Sequence, residues 1–176
     1  MIAVLSDSHI PRRAEDIPEA FKQVLENAET IVHCGDFVSK NFKQELEEFG
    51  DLVAAKGNCD VFDLPPSQTF SRKGLEFGVY HGAGITPRGH HPTLVKTAET
   101  ISCQVLFHGH SHRAEAVKTE GKILVNPGSC TGVSGGTSNP DKPSMARVEI
   151  REEDPEVEIV DNRLETMVEK NFSMKD

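Results

Sequence analysis

Two histidines separated by one residue are the most suggestive chemical feature of this sequence. They lie in the segment Gly109-His110-Ser111-His112, after the apolar run Val105-Leu-Phe107. In an extended backbone the side chains at positions i and i+2 point to the same side, so His110 and His112 can reach one site. Imidazole is the commonest metal-binding side chain near neutral pH. The spacing indicates either a metal site or a histidine-rich surface loop.

The ends of other apolar runs favour the metal site. Each of five predicted strands is followed by a side chain that can bind a metal. Together these side chains are Asp7, His9, Asp36, Asn58, His81, His110 and His112. Two carboxylates, one amide and four imidazoles suit divalent transition ions such as Mn, Zn, Fe, Co or Ni, whereas calcium prefers oxygen ligands alone.

Seven ligands exceed the four that a tetrahedral zinc ion uses, so we expect a pair of ions with one bridging carboxylate. Asp36 is the best candidate for the bridge. Before any hydroxide binds, two divalent ions with Asp7 and Asp36 leave a net charge of about +2, which attracts a phosphate ester. Paired ions clamp the attacking and leaving oxygens and lower the pKa of water to about 7. We therefore predict hydrolysis of P–O bonds by a metal-bound hydroxide, without a covalent enzyme intermediate.

The elements that position these side chains alternate in the first third of the chain. Apolar patterns predict strands and helices in the order 2–5, 18–28, 30–34, 40–49 and 52–55. A strand–helix–strand order implies a parallel sheet, and ligands bind beyond the carboxyl ends of such strands. Asp7, His9, Asp36 and Asn58 are thereby expected at one sheet edge.

Short strands at hairpin spacing follow from Ser67, interrupted by one helix around Pro92–Thr100. We expect a single domain over residues 1–165 and a polar C-terminal tail over 166–176, frayed or forming a short helix. The Gly- and Ser-rich piece Gly132–Asn139 is expected to be a mobile loop.

Composition limits the class of protein. The chain has 176 residues, with 36% hydrophobic and 27% charged side chains, as in ordinary globular domains. A net charge of -9 argues against general nucleic-acid binding. No apolar run approaches the roughly 20 residues of a membrane span, and the first residues resemble a strand more than a signal peptide. Four cysteines without a C-x-x-C pair favour free thiols in the cytoplasm.

Five short blocks resemble those of the calcineurin-like metallophosphoesterase superfamily. They are Asp7-x-His9, Gly35-Asp36, Gly57-Asn58, His81-Gly82 and Gly109-His110-Ser111-His112, in the family's order. Asn58-Cys59-Asp60 and Asn126-Pro127-Gly128-Ser129 are similar to its small prokaryotic YfcE-type phosphodiesterase branch. No single block is specific for the family. Five blocks in the family's order, each directly after a predicted strand, are specific for it.

The resemblance implies an α/β fold, a four-layer αββα sandwich of two mixed β-sheets flanked by helices. It also implies one metal held by Asp7, His9, Asp36 and His112. The other metal would be held by Asp36, Asn58, His81 and His110. Manganese is the preferred ion, and Asp36, Asn58, Cys59 and His81 are the candidate catalytic residues.

Two positions depart from the family's pattern. Larger members carry a histidine after the asparagine, as general acid or phosphate contact, where this chain has Cys59. A thiol with an ordinary pKa near 8.5 suits that task less well, so activated diesters are expected to be better substrates than unactivated monoesters. The YfcE-type pattern H-G-H is replaced by His81-Gly82-Ala83, which removes any contact of the second histidine.

Other polar residues have ordinary explanations. His33 and His108 are expected to be buried core histidines, and the Asn126 turn to shape the loop beneath the metals. His90 and His91 precede Pro92 at a predicted helix start, which is compatible with capping or with substrate contact, and we favour capping. Arginines 12, 13 and 88 adjoin the ligand loops, where contact with substrate phosphate and a solvated surface role are equally compatible with the sequence.

Two alternatives to a phosphodiesterase stay open. One is a phosphomonoesterase or nucleotide phosphatase. The other is a metal-binding protein-interaction scaffold, because the retromer subunit of this fold is similar, has a degraded ligand set and works through protein contacts. The natural small-molecule phosphoester, the native metal and the oligomeric state are not specified by the sequence, although exposed strand edges favour a homodimer.

Overall fold

The computed structural model describes residues 1–136 and 141–175, which form two packed β-sheets with helices on their outer faces. In chain order the elements are β1 (Ile2–Leu5), α1 (Glu19–Leu25), β2 (Thr30–His33), α2 (Lys40–Phe49), β3 (Leu52–Ala54), β4 (Ser67–Arg72), β5 (Leu75–Tyr80), α3 (His91–Thr100), β6 (Val105–His108), β7 (Glu115–Thr119), β8 (Lys122–Asn126), β9 (Ser144–Arg151), β10 (Asp154–Asp161) and β11 (Thr166–Asn171).

The first sheet has six strands in the order β11-β10-β9-β1-β2-β3, and the second has five in the order β4-β5-β6-β8-β7. Strands β1, β2 and β3 run parallel, as do β5, β6 and β8. The flanking strands are antiparallel, so both sheets are mixed. The predicted fold class is confirmed.

The parallel strands in the middle of the sheets are the most buried. Every residue of β1, β2 and β6 is buried, as expected for strands covered on both faces. A core that includes Val4, Phe77 and Phe107 fills the space between the sheets. Phe21 and Leu46, from the helices α1 and α2, pack on the outer face of the first sheet, whereas Leu94 of α3 packs outside the second. The layers are therefore helix, sheet, sheet, helix.

The end of the chain differs from the sequence expectation. We expected residues 166–176 to form a frayed tail or short helix, but Thr166–Asn171 form β11, which pairs antiparallel with β10. Phe172 and Met174 then pack against the core between the sheets. The charged residues of β11 are exposed on an edge strand, so their polarity hid the strand from a hydrophobic pattern.

Two further expectations concern loops and membranes. The predicted mobile loop Gly132–Asn139 extends into residues 137–140, which lie outside the described part of the chain. Among the described residues, no helix is both long and apolar enough to cross a membrane.

Candidate metal centre

The loops at the carboxyl ends of the parallel strands hold unusual backbone conformations. Five candidate ligands have positive φ angles: Asp7 at 52°, His9 at 51°, Asp36 at 62°, His110 at 67° and His112 at 59°. This region is uncommon for residues other than glycine, and such residues concentrate at functional sites. Hydrogen bonds join the first two loops, from Asp7 N to Gly35 O and from His9 N to Asp36 O, both 3.0 Å. These two hydrogen bonds hold the loops after β1 and β2 together.

One half of the site gathers side chains from the ends of β1 and β6. His112 Nε2 lies 3.2 Å from Asp7 Oδ1, and both side chains are almost completely buried. The rings of His9 and His112 stack with their centroids 5.3 Å apart. Ligand atoms of Asp7, His9 and His112 lie close enough to share a metal ion.

The other half gathers side chains from the ends of β2, β3, β5 and β6. His81 Nε2 lies 3.4 Å from Asp36 Oδ2 and 3.2 Å from Asn58 Oδ1. The ring centroids of His110 and His81 lie 5.0 Å apart. All seven predicted ligands thus converge on one place.

Asp36 stands between the two halves. Its Oδ2 is 3.4 Å from His81 Nε2 and 3.6 Å from His9 Nε2. Its Oδ1 accepts a hydrogen bond of 2.7 Å from Cys59 N, which fixes the carboxylate. This is the position that a bridging ligand needs.

The tautomers of two histidines fit a metal. His81 Nδ1 donates to Cys34 O at 2.9 Å, and His112 Nδ1 donates to Val133 O at 2.5 Å. With Nδ1 carrying hydrogen, Nε2 of a neutral ring presents a lone pair, and in both residues it faces a carboxylate. Each Nε2 can thus donate to its carboxylate when the ring is protonated or bind a cation beside it when the ring is neutral, which is how carbonyl-anchored metal-binding histidines are arranged. His9 Nε2 is also buried and lacks a hydrogen-bond partner among the described residues. The donor set therefore fits divalent ions.

The pKa values of the buried carboxylates and histidines also indicate that the site stabilises positive charge. Burial alone would raise the pKa of Asp7, but the hydrogen bond from His112 and the charge of His81 bring it below its ordinary value. Burial would also raise the pKa of Asp36, but His81, the Cys59 N–H group and His9 together lower it. Burial acts to lower the pKa of His81 and His112, yet the facing carboxylates raise both. Asp36 and Asp7 therefore stabilise positive charge at Nε2 of these two histidines.

Burial is the main reason that the pKa is lowered for the two remaining imidazoles, His9 and His110. Neutral imidazole is the form that binds metals. These two histidines are therefore available as ligands at neutral pH.

Asp60 is a residue whose role the sequence reasoning missed. Its carboxylate accepts hydrogen bonds from the backbone N–H groups of Asp36 at 3.0 Å, Val38 at 2.8 Å and Gly57 at 2.8 Å. It thereby joins the loop after β2 to the loop after β3. The available signal was an aspartate two residues after Asn58 in a turn, because such side chains commonly bond nearby backbone N–H groups.

The predicted core residues behave as expected. His33 and His108 are buried. The His33 ring accepts from Gly35 N at 3.2 Å and contacts Ser8 Oγ at 3.2 Å, while that hydroxyl donates to Asp36 O. Asn126 Nδ2 donates to Gly109 O at 3.2 Å and to Ser111 Oγ at 2.9 Å, which supports the β6 loop from below.

An open cavity of about 190 Å³ lies above these ligands. Cys59 lines it, and Asn58 Nδ2 donates to its Sγ at 3.4 Å. Burial and the neighbouring Asp36 charge raise the Cys59 pKa to about 11, so the group is a protonated thiol at neutral pH. Arg13 and Arg88 line the same cavity. Arg12 does not line the cavity. The side chain of His91 pairs with Glu115 at 3.1 Å.

A larger depression of about 390 Å³ lies elsewhere, on the strands β9, β10 and β11. The charges that line it pair with each other, as in Arg147–Glu158 at 2.6 Å and Arg151–Glu156 at 2.9 Å. Such paired surface charges are ordinary features of a solvated sheet face. The smaller cavity over the ligands is therefore the candidate site.

Comparison with known proteins identifies the family of the chain. The calcineurin-like phosphoesterase superfamily domain matches residues 1–153. A probable metallophosphoesterase of Methanocaldococcus jannaschii is 34% identical over 131 residues, which cover 74% of this chain and 68% of the relative.

Solved structures share the fold at lower identity. Vacuolar Protein Sorting 29 from Cryptosporidium parvum superposes with a TM-score of 0.87 at 20% identity, covering 98% of this chain and 97% of that one. Vps29 from Entamoeba histolytica, solved in complex with zinc, has a TM-score of 0.83 at 23% identity and covers 99% of both chains.

Proposed function

The chain belongs to the calcineurin-like phosphoesterase superfamily, and we propose that it is a phosphodiesterase that hydrolyses P–O bonds at a two-metal centre. The observation that carries the proposal is the position of Asp36. Its carboxylate lies between His9 and His81, so that the two halves of the ligand set share one bridging group.

We propose the two ligand sets that the family resemblance implies. Asp7, His9, Asp36 and His112 would hold one ion, and Asp36, Asn58, His81 and His110 would hold the other. Manganese is our preferred ion, although the mixed nitrogen and oxygen donors also suit Zn, Ni, Fe and Co. When bound, paired divalent ions supply positive charge to the phosphoryl oxygens and lower the pKa of water.

The protein's own groups determine how a substrate is held. Asp36 stays ionised because its pKa is lowered, and His81 directs Nε2 into the centre because Cys34 O holds Nδ1. Asn58 places its Oδ1 beside His81 and its Nδ2 beside Cys59. These contacts hold the side chains of Asp36, His81 and Asn58 in place at the centre.

Cys59 sets the choice of leaving group. A thiol with a pKa of about 11 is a poor proton donor at neutral pH. Substrates whose leaving oxygen needs no proton are favoured, which is why we propose activated diesters over unactivated monoesters.

A scaffold without turnover is the second candidate. It is favoured by the likeness to Vacuolar Protein Sorting 29, which extends over nearly the whole chain. The retained set of seven ligands favours the enzyme, because protein contacts alone do not require buried carboxylates and histidines at one point.

We place the protein in the cytoplasm. All four cysteines are free, and Cys34, Cys103 and Cys130 are buried. Unpaired thiols of this kind suit a reducing compartment.

The test measures hydrolysis of bis(p-nitrophenyl) phosphate and p-nitrophenyl phosphate by protein treated with chelator and then with Mn²⁺. We expect turnover that requires metal and is faster for the diester. His81→Ala should lower kcat by about a hundredfold or more, because metal chemistry depends on the intact ligand set. His90→Ala is the matched control, since His90 is exposed and contacts Thr93. Two bound ions with no turnover of either ester would favour the scaffold.

A further inference from the structure

Three consecutive carbonyl groups at one rim of the cavity each accept a hydrogen bond from a different side chain. Val133 O accepts from His112 Nδ1, Ser134 O from Arg13 at 3.1 Å, and Gly135 O from Arg88 at 2.7 Å. The two guanidinium groups therefore converge on neighbouring peptide units, beside a metal-ligand candidate. Segment 134–136 itself lines the cavity with them.

The two arginines hold more hydrogen-bonding capacity than the loop uses. A guanidinium has five N–H donors, and each arginine gives one hydrogen bond to the loop. Within residues 1–136 and 141–175, neither arginine has a carboxylate as ion-pair partner. Both side chains are exposed at the cavity, and within the described residues no carboxylate competes with a ligand for their remaining donors.

The charge at this rim exceeds what a simple diester neutralises. Two divalent ions with Asp7 and Asp36 leave about +2, the attacking hydroxide reduces this to about +1, and Arg13 and Arg88 raise it to about +3. A diester with two uncharged substituents carries a single negative charge. The balance favours a substrate with a further anionic group.

We propose that Arg13, Arg88 and the 134–136 loop form a second anion subsite, which binds an additional phosphate on the phosphodiester substrate. This inference rests on the proposed function. Guanidinium groups recognise phosphate with paired hydrogen bonds, which explains the residue type. The cavity of about 190 Å³ is smaller than the roughly 300–1,000 Å³ of sites that enclose a whole ligand. It admits the reacting phosphoryl group, while the second phosphate lies at the open rim.

The test uses two substrates that differ only in the second phosphate. They are the 5′-p-nitrophenyl phosphodiester of thymidine with a free 3′-hydroxyl and the same diester with a 3′-phosphate. We expect the Mn²⁺-loaded protein to favour the 3′-phosphorylated compound by about tenfold or more in kcat/KM. Arg13→Gln and Arg88→Gln should each reduce this ratio about fivefold, a modest effect because the groups are solvated.

Arg12→Gln is the matched control, because it removes the same charge from the adjacent, exposed residue outside the cavity lining. The ratio should stay unchanged in Arg12→Gln. Equal loss in all three variants would show a general field effect and overturn the subsite. An unchanged ratio in Arg13→Gln and Arg88→Gln would show that these residues only fasten the loop, and would also overturn it.

Calorimetry separates this inference from the proposed function. Pyrophosphate should bind the Mn²⁺-loaded protein at least about tenfold more tightly than orthophosphate, with the difference reduced in the two variants. No turnover of either diester would defeat the proposed function, yet the subsite would still be supported by this difference. Equal affinities for the two anions in wild-type protein would defeat the subsite alone.

Discussion

Cys59 shows how one residue can set the substrate range. It lines the cavity beside Asn58, at the place where larger family members carry a histidine, and its pKa is raised to about 11 by burial and by Asp36. The sequence predicted the weaker proton donor but not the size of the shift, because the burial and the nearby carboxylate arise only in the folded chain.

Replacing Cys59 by histidine should extend activity to poor leaving groups. An imidazole with an ordinary pKa near 6.5 donates protons at neutral pH, and general acids contribute roughly 10²–10⁴-fold. We expect Cys59→His to raise kcat/KM for a phenyl diester by at least about tenfold, with a smaller change for the p-nitrophenyl diester. Cys59→Ser is the control for the loss of sulfur. No gain on the phenyl ester in Cys59→His would count against the leaving-group account.

Because of His33, we expect the free energy of unfolding of the metal-free protein to fall at acid pH. Burial lowers the pKa of His33 from 6.5 to about 3. Between these values the unfolded chain binds more protons than the folded chain, so the free energy of unfolding falls as the pH decreases. From pH 7.5 to pH 5 this residue should cost about 2 kcal/mol.

The measurement compares urea unfolding of wild-type protein and His33→Gln in chelator at both pH values. The wild type should lose about 2 kcal/mol more than the variant over this interval. An identical pH dependence in the two proteins would show that His33 does not titrate on unfolding.

At the scale of elements, the turns that follow the strands control the geometry of the ligands. The sequence predicted the strands before these turns because continuous apolar runs mark buried parallel strands. It did not predict the close packing between the turns. Gly57 lies so near Asp36 that an added Cβ would overlap its backbone nitrogen and its Oδ1.

Gly57→Ala should therefore disturb the bridging ligand. We expect a loss of about 1–3 kcal/mol in unfolding free energy, as for other overpacked sites, together with at least about tenfold weaker Mn²⁺ binding. Gly121→Ala is a control at the β7–β8 turn, where φ is +72° and nothing lies within 4 Å of the added Cβ. It should cost about 1 kcal/mol through backbone strain and leave metal affinity intact. Equal metal affinities in wild type and Gly57→Ala would refute the packing argument.

At the scale of the whole molecule, the last strand of the first sheet is the part that the sequence predicted least well. The polar β11 completes the first sheet, and the Lys118 ammonium of β7 donates to Ser173 O at 2.6 Å across the edge. Long-range pairing of this kind has little local signal, since a solvated edge strand carries few apolar residues. By contrast, the five motif blocks each followed a recognisable strand, so the candidate ligands could be identified without coordinates.

The most direct test of the central claim is the number of metal ions bound per chain at equilibrium, measured with Mn²⁺ for wild type and Asp36→Ala. A shared carboxylate predicts two ions in the wild type and one or none in the variant, with His90→Ala unchanged as a control. Two ions of unchanged affinity in Asp36→Ala, or no ion in the wild type, would contradict a two-metal centre built around Asp36.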